Sequence, residues 1–129
     1  MANIKLGATP ETFKAFPVKF VLPNGDDAAI KVTFKYRTRV QFGEFQNEMF
    51  GAQSGDDDRL PGGGIDFKKL YEKVGAQHAG HLLKAIASWD LDFPATVESL
   101  AQMTNEIPAS VAAIMTAYNA ACTEGRLGN

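Results

Sequence analysis

The sequence predicts one α+β domain over residues 1–129, in which an N-terminal β-hairpin is followed by about four helices and the C-terminal half is mostly helical. Two observations carry this prediction. Apolar residues alternate on both sides of an Asn24-Gly25 turn, and after Thr38 their period changes from two to about 3.6. The 129 residues, 45% of them hydrophobic, suffice for one modest core.

The hairpin is predicted over residues 16–37, behind a flexible arm at residues 1–15. Its turn is Pro23-Asn24-Gly25-Asp26, and Asn-Gly tolerates the positive φ that a tight turn requires. A lone hairpin is barely stable in water, so its apolar face must pack against the helices around Trp89. That face comprises Val18, Phe20, Val32 and Phe34.

A helix is predicted over residues 38–50, where Thr38 and Gln41 have the spacing of a capping box. Residues 51–64 include five glycines and predict a flexible loop. The helical part follows over residues 65–124, with Asp66 as an expected N-cap. Its predicted helices are Ile65–Trp89, Ala95–Thr104 with Val97, Leu100 and Met103 inward, and a last helix that begins at Pro108 and stops at Gly125.

A structural corner is predicted at Trp89, Asp90, Phe93 and Pro94. Leu82, Ile86 and Trp89 follow helical spacing, and Phe93-Pro94 interrupts it. We expect Trp89 and Phe93 to lie on opposite sides of this corner and to hold it together. Asp90 and Asp92 are expected to cap the following helix rather than to form a catalytic carboxylate pair.

Four groups of residues suggest chemistry, and for each a structural interpretation is favoured. His78 and His81 lack further metal ligands, and the acids Asp56–Asp58 lack the spacing of an EF-hand loop. The glycines Gly62–Gly64 lack the Lys-Ser/Thr ending of a phosphate-binding loop, and Cys122 fits an apolar helix face. The sequence therefore predicts no catalytic, cofactor-binding or metal-binding residue, and no enzyme.

Charge and hydropathy patterning predict a soluble protein of the cytoplasm. The net charge is −2 without a basic run, which argues against nucleic acid binding. One cysteine permits no internal disulfide. The chain has neither a signal-peptide core nor an apolar run of about 20 residues, so no membrane association is expected.

One cluster of apolar residues has two interpretations that the sequence leaves open. Its members are aromatic residues and methionines, namely Phe42, Phe45, Met49, Phe50, Met103 and Met115. Because methionine adapts to varied surfaces, these residues suit a groove that binds an apolar helix of a partner. Alternatively, they pack as ordinary core against the hairpin, which the sequence favours.

The order of elements resembles a known family. Two strands lead into Phe34-Lys35-Tyr36-Arg37-Thr38-Arg39, an aromatic helix and a Gly/Asp-rich stretch. Ile86-Ala87-Ser88-Trp89-Asp90 and Phe93 follow, and the chain closes with Ile107-Pro108 and a helix that carries Ile114 and Tyr118. Over Phe16–Thr123 this arrangement is similar to the small tail assembly chaperones of long-tailed bacteriophages and prophages.

The resemblance implies a role without catalysis. Such proteins bind the tape-measure protein and keep its hydrophobic helices soluble until the tail tube polymerises around it, in the cytoplasm of the bacterial host. It further implies two other partners, a frameshift-extended form of the same chain and the major tail protein. Two competing functions are a structural protein of the virion tail and a small nucleic-acid-binding regulator. The regulator is disfavoured because its reading helix, Pro108–Cys122, carries no Lys or Arg.

Overall fold

The computed structural model describes residues 6–51 and 64–124, and for residues 50 and 51 the backbone alone. The predicted α+β class with an N-terminal hairpin and four helices is confirmed. The predicted loop lies outside the described residues from residue 52 to residue 63, as does the predicted stop at Gly125. The elements in chain order are β1 Phe16–Val21, β2 Asp27–Phe34, α1 Arg39–Gly51, α2 Phe67–Leu83, β3 Ile86–Trp89, α3 Val97–Glu106 and α4 Pro108–Glu124.

Strands β1 and β2 form the predicted antiparallel hairpin. Their register pairs Phe16 with Val32 and Val21 with Asp27. The turn closes with a 2.8 Å hydrogen bond from the Leu22 amide to the Asp26 carbonyl, and Gly25 has a φ of +92° that other residues rarely adopt.

A third strand, β3, pairs antiparallel with β2 and makes β2 the central strand of the sheet. The predicted helix through Trp89 is therefore wrong, because α2 ends at Leu83 and Trp89 pairs with Val32. A turn at Lys84 and Ala85 connects α2 to β3. The Lys35 amide donates a 2.7 Å hydrogen bond to the Ala85 carbonyl in this turn. Pairing with the open edge of β2 thus overrides a short apolar pattern that also fits a helix.

Part of the segment predicted as a flexible arm is docked on the sheet. Thr12 forms an isolated bridge with Lys35, and the Phe13 amide donates a 2.9 Å hydrogen bond to the Phe34 carbonyl. The Phe13 side chain is buried and its ring lies 5.2 Å from that of Tyr36. The arm therefore covers the end of β2 from residue 12 onward.

Side-chain caps start the first three helices. Thr38 and Gln41 exchange the two hydrogen bonds of a capping box, and the Asp66 carboxylate accepts from the Lys69 amide at 3.2 Å. Helix α3 is capped by Thr96 with Ser99. The expectation that Asp90 and Asp92 cap this helix is wrong, since α3 begins at Val97 with Thr96 as its N-cap. Asp90 instead accepts a 2.9 Å hydrogen bond from the Lys31 amide.

The core lies between one face of the sheet and the helices. Both central strand residues of the predicted face, Val32 and Phe34, are fully buried, whereas Phe20 is partly buried. Helix α4 packs against β1 and α3, and α2 packs against α3. The largest fully buried side chains are those of Tyr118, Phe34, Ile30, Leu82, Leu100 and Ile114.

Candidate protein-binding surface

The polar residues that suggested chemistry do not assemble into a site. Within residues 6–51 and 64–124, no three His, Cys, Asp or Glu side chains could together hold a metal ion. Burial lowers the pKa of His78, with a further contribution from His81, so the neutral imidazole is favoured. Burial also raises the pKa of the Cys122 thiol, which disfavours the reactive thiolate. Asp56–Asp58 and two of the glycines, Gly62 and Gly63, lie outside the described residues.

Tyr118 on α4 is the polar centre of the core. Its hydroxyl accepts a 2.6 Å hydrogen bond from the Arg37 guanidinium and donates one of 3.1 Å to the Lys35 carbonyl. Burial raises the pKa of Tyr118 to about 12, although Arg37 acts in the opposite direction. The Arg37 guanidinium also lies 4.6 Å from the ring centre of Phe45. The polar groups of this centre have a structural role, because they join α4 to the chain segment that follows β2.

Of the six residues predicted for partner binding, the five whose side chains are described do not line one groove. Phe42, Phe45, Met49 and Met103 are buried, and Met115 is partly buried. Phe42, Phe45 and Met115 line one small depression of about 200 Å³ between α1 and α4, whereas Met103 lines another beside α3. The side chain of Phe50 lies outside the described part of the chain. This placement favours the core interpretation for most of the cluster, and partner binding by these residues stays a prediction.

The predicted corner lies at the end of β3, where Trp89 and Phe93 contact each other. The Trp89 indole N–H donates a 2.8 Å hydrogen bond to the Phe93 carbonyl, and the two rings meet edge to face at 5.7 Å. Trp89 is only partly buried, and 39% of Phe93 is exposed. The segment from Ala87 to Ala95, including Pro94, borders an open depression of about 490 Å³. The corner is therefore a surface feature.

A second depression continues from this corner along α3, and we call it the α3 groove. Its volume is about 480 Å³, and Phe93 and Pro94 border both depressions. Its apolar side chains are those of Phe93, Pro94, Met103 and Ile107, and its acidic side chains are those of Glu98 and Glu106. Sequence reasoning singled out Phe93, Pro94 and Met103 but missed Ile107 and the two acids. The absence of any Lys or Arg from residue 85 to residue 124 is the signal that would have pointed to the two acids.

Another exposed apolar feature lies at the beginning of α2. The rings of Phe67 and Tyr71 stack at 6.2 Å, with 56% and 68% of these residues exposed. Lys68 and Glu72 form an exposed 2.9 Å ion pair on the same helix. Large exposed aromatic side chains are typical of protein-binding surfaces.

The helices within the described ranges are too short or too polar to cross a lipid bilayer.

Comparison with known proteins identifies one family. A family model described as phage tail assembly chaperone matches the chain over residues 1–129. No curated protein and no solved structure matches the chain.

Proposed function

The chain belongs to the phage tail assembly chaperone family, and we propose that it binds the tape-measure protein and keeps it soluble until the tail tube assembles around it. The match of the family model over residues 1–129 carries this proposal. We further propose that the protein acts without catalysis in the cytoplasm of the bacterial host. A frameshift-extended form of the chain and the major tail protein are proposed as additional partners.

The division between core and surface supports the proposed role. A chaperone that shields apolar helices needs a folded core of its own and, apart from it, apolar surface beside polar groups. The fully buried Tyr118 belongs to the core, whereas Phe93, Phe67 and Tyr71 are exposed beside charged residues. Binding at these exposed residues therefore requires no exposure of the core.

Four of the residues predicted for partner binding are retained as proposed contacts. Phe42, Phe45 and Met115 line the depression between α1 and α4, and Met103 lines the α3 groove. These side chains are largely buried, and their exposed edges form the apolar floor that a partner helix would meet. Met49 is buried and borders neither depression.

Co-expression with the tape-measure protein of the same phage or prophage tests the proposal. We expect the tape-measure protein to remain in the soluble fraction and to co-purify with this chain, because its apolar helices are covered. An unrelated acidic domain of similar size serves as the control. An insoluble tape-measure protein that does not co-purify would contradict the proposed function. Mass spectrometry of purified particles should find the chain absent, whereas its presence would favour a structural tail protein.

A further inference from the structure

Charge is distributed unevenly along the chain. Residues 85–124 contain five acidic residues and no Lys, Arg or His, which gives this segment a net charge of −5. The remaining residues together carry +3, since the whole chain has −2. The segment comprises β3, the corner, α3 and α4, so one part of the fold lacks cationic side chains of its own.

The α3 groove lies within this acidic part and combines two kinds of side chain. Met103 and Ile107 provide an apolar floor that continues to the exposed ring of Phe93. Glu98 and Glu106 border it and are exposed. The two acids are eight residues apart on α3, which corresponds to about 12 Å along the helix axis. This distance is slightly more than two turns of a partner helix.

No cationic side chain among the described residues pairs with the two acids of the groove, although the N-terminal turn of α3 favours the negative charge of Glu98. The carboxylate of Glu106 accepts a 2.8 Å hydrogen bond from Gln102, which is neutral. Both ion pairs among the described side chains lie elsewhere, since Lys68–Glu72 is on α2 and Lys84–Glu48 joins the end of α2 to α1. An occupant of the groove therefore meets apolar surface and negative charge together.

We propose that the α3 groove binds a basic amphipathic helix of the tape-measure protein, with Lys or Arg residues about two turns apart on either side of its apolar face. The proposal rests on the proposed function and adds the surface and the chemistry of the partner segment. Apolar side chains of the partner cover Phe93, Met103 and Ile107, and its cations pair with Glu98 and Glu106. Charge pairs at the rim of an interface select the partner and its register more than they add affinity.

Charge complementarity separates this occupant from others. A nucleic acid is disfavoured because its phosphates would meet the acids of a segment, residues 85–124, that carries no Lys or Arg. An acidic or uncharged helix would fit the floor but would leave the carboxylates either repelled or unpaired. A second copy of the chain would have to present its own basic region, and the oligomeric state of the unchanged chain and of the groove variant distinguishes that case.

The first measurement uses a pair of synthetic amphipathic helices of about five turns with the same leucine pattern, one with lysine and one with glutamate on the polar face. We expect the lysine helix to bind the intact protein and the glutamate helix to bind at least about tenfold more weakly at low salt. The combined change Glu98→Lys and Glu106→Lys should lower the affinity for the lysine helix about tenfold. The milder combined change Glu98→Gln and Glu106→Gln should lower this affinity about threefold. If the double Lys variant does not fold, the double Gln variant tests the proposal.

The matched control reverses two exposed acids outside the groove, Asp27→Lys and Glu44→Lys, and changes the net charge equally. It should alter the affinity for the lysine helix by less than about twofold at physiological salt. Equal weakening by the control and the groove variant would overturn the proposal, as would equal binding of the two helices.

The second measurement repeats the co-purification with the tape-measure protein. Loss with the groove variant and retention with the control supports the proposal. If the groove variant retains the tape-measure protein as well as the unchanged chain does, the groove inference fails and the proposed function stands. If the unchanged chain fails to retain it, the proposed function fails. A dimer of the unchanged chain that the groove variant dissociates would place a second copy in the groove and overturn the inference.

Discussion

Two aromatic residues organise different parts of this molecule, and they do so in different ways. Tyr118 is fully buried, its ring lies 5.0 Å from that of Phe34, and its hydroxyl joins two groups of the chain segment after β2. Trp89 is partly buried, and its indole bonds to Phe93 only four residues away. Tyr118 therefore connects elements that are distant in sequence, whereas Trp89 closes a local corner.

The difference indicates where stability and binding reside. Replacing a residue that joins several elements affects the whole fold, because every partner loses a contact at once. A residue at an exposed corner shares its neighbours with solvent, so a partner protein has access to the same surface. The Tyr118 centre is thus expected to determine stability, and the corner with the α3 groove to determine recognition.

The largest effect is expected from Tyr118→Ala. The substitution removes a buried aromatic ring, which costs about 3–5 kcal/mol, and leaves the Lys35 carbonyl without its donor. Equilibrium unfolding in urea, followed by circular dichroism, measures the loss in the free energy of unfolding. A variant as stable as the unchanged protein would show that Tyr118 is not the centre of the core.

Tyr118→Phe is the matched variant, because it keeps the ring contacts and removes only the hydroxyl. Arg37 and the Lys35 carbonyl then lose a buried partner, so we expect a cost of about 1–3 kcal/mol. If this variant unfolds at the same urea concentration as the unchanged protein, the hydrogen bonds at Tyr118 contribute nothing and packing alone holds α4.

A smaller effect is expected from Trp89→Ala. Full burial would cost about 3–5 kcal/mol, and because Trp89 is only partly buried we expect roughly 1–3 kcal/mol. Trp89→Phe retains an aromatic ring against Phe93 and loses the 2.8 Å hydrogen bond, for about 1 kcal/mol or less. Urea unfolding of the two variants beside those at Tyr118 tests the order. A larger loss at Trp89 than at Tyr118 would reverse the comparison.

The sequence predicted the parts of the fold that depend on neighbouring residues. Alternation and the Asn24-Gly25 turn identified the hairpin, and residue spacing identified the Thr38–Gln41 cap and the start of α4 at Pro108. These features depend on contacts within a few residues, which local patterns record directly.

The strand β3 depends on a contact that local patterns do not record. Its four residues, Ile86–Trp89, fit either a strand or the last turn of a helix, and only the open edge of β2 decides between them. The helical spacing of Leu82, Ile86 and Trp89 therefore led to the wrong prediction of a helix that continues to Trp89. The docking of Phe13 on Phe34 is missed for the same reason, since the pairing spans about twenty residues of chain that form the hairpin.

The candidate surface was predicted only in part. Aromatic and methionine content pointed to Phe42, Phe45 and Met103, and the structure buries these side chains because an apolar residue at helical spacing fits a core as well as a groove. The exposed Val97, which helical spacing placed inward, shows the same ambiguity with the opposite outcome. Charge would have been the better guide, because acids such as Glu98 and Glu106 rarely lie in a core and therefore mark the surface.

The smallest of the expected effects concerns His78 on α2, the helix that packs on α3. Burial lowers the pKa of His78 below its usual 6.5, and His81 acts in the same direction. As the pH falls through 6.5 the unfolded chain takes up this proton first, so protonation favours unfolding, and stability is lost below that pH. Thermal midpoints between about pH 7 and pH 5 should therefore fall less steeply for His78→Gln than for the unchanged protein, with parallel behaviour above pH 7. Identical slopes in the two proteins would mean that His78 is hydrated equally in the folded and unfolded states. That result would place this face of α2 with the exposed corner rather than with the buried centre.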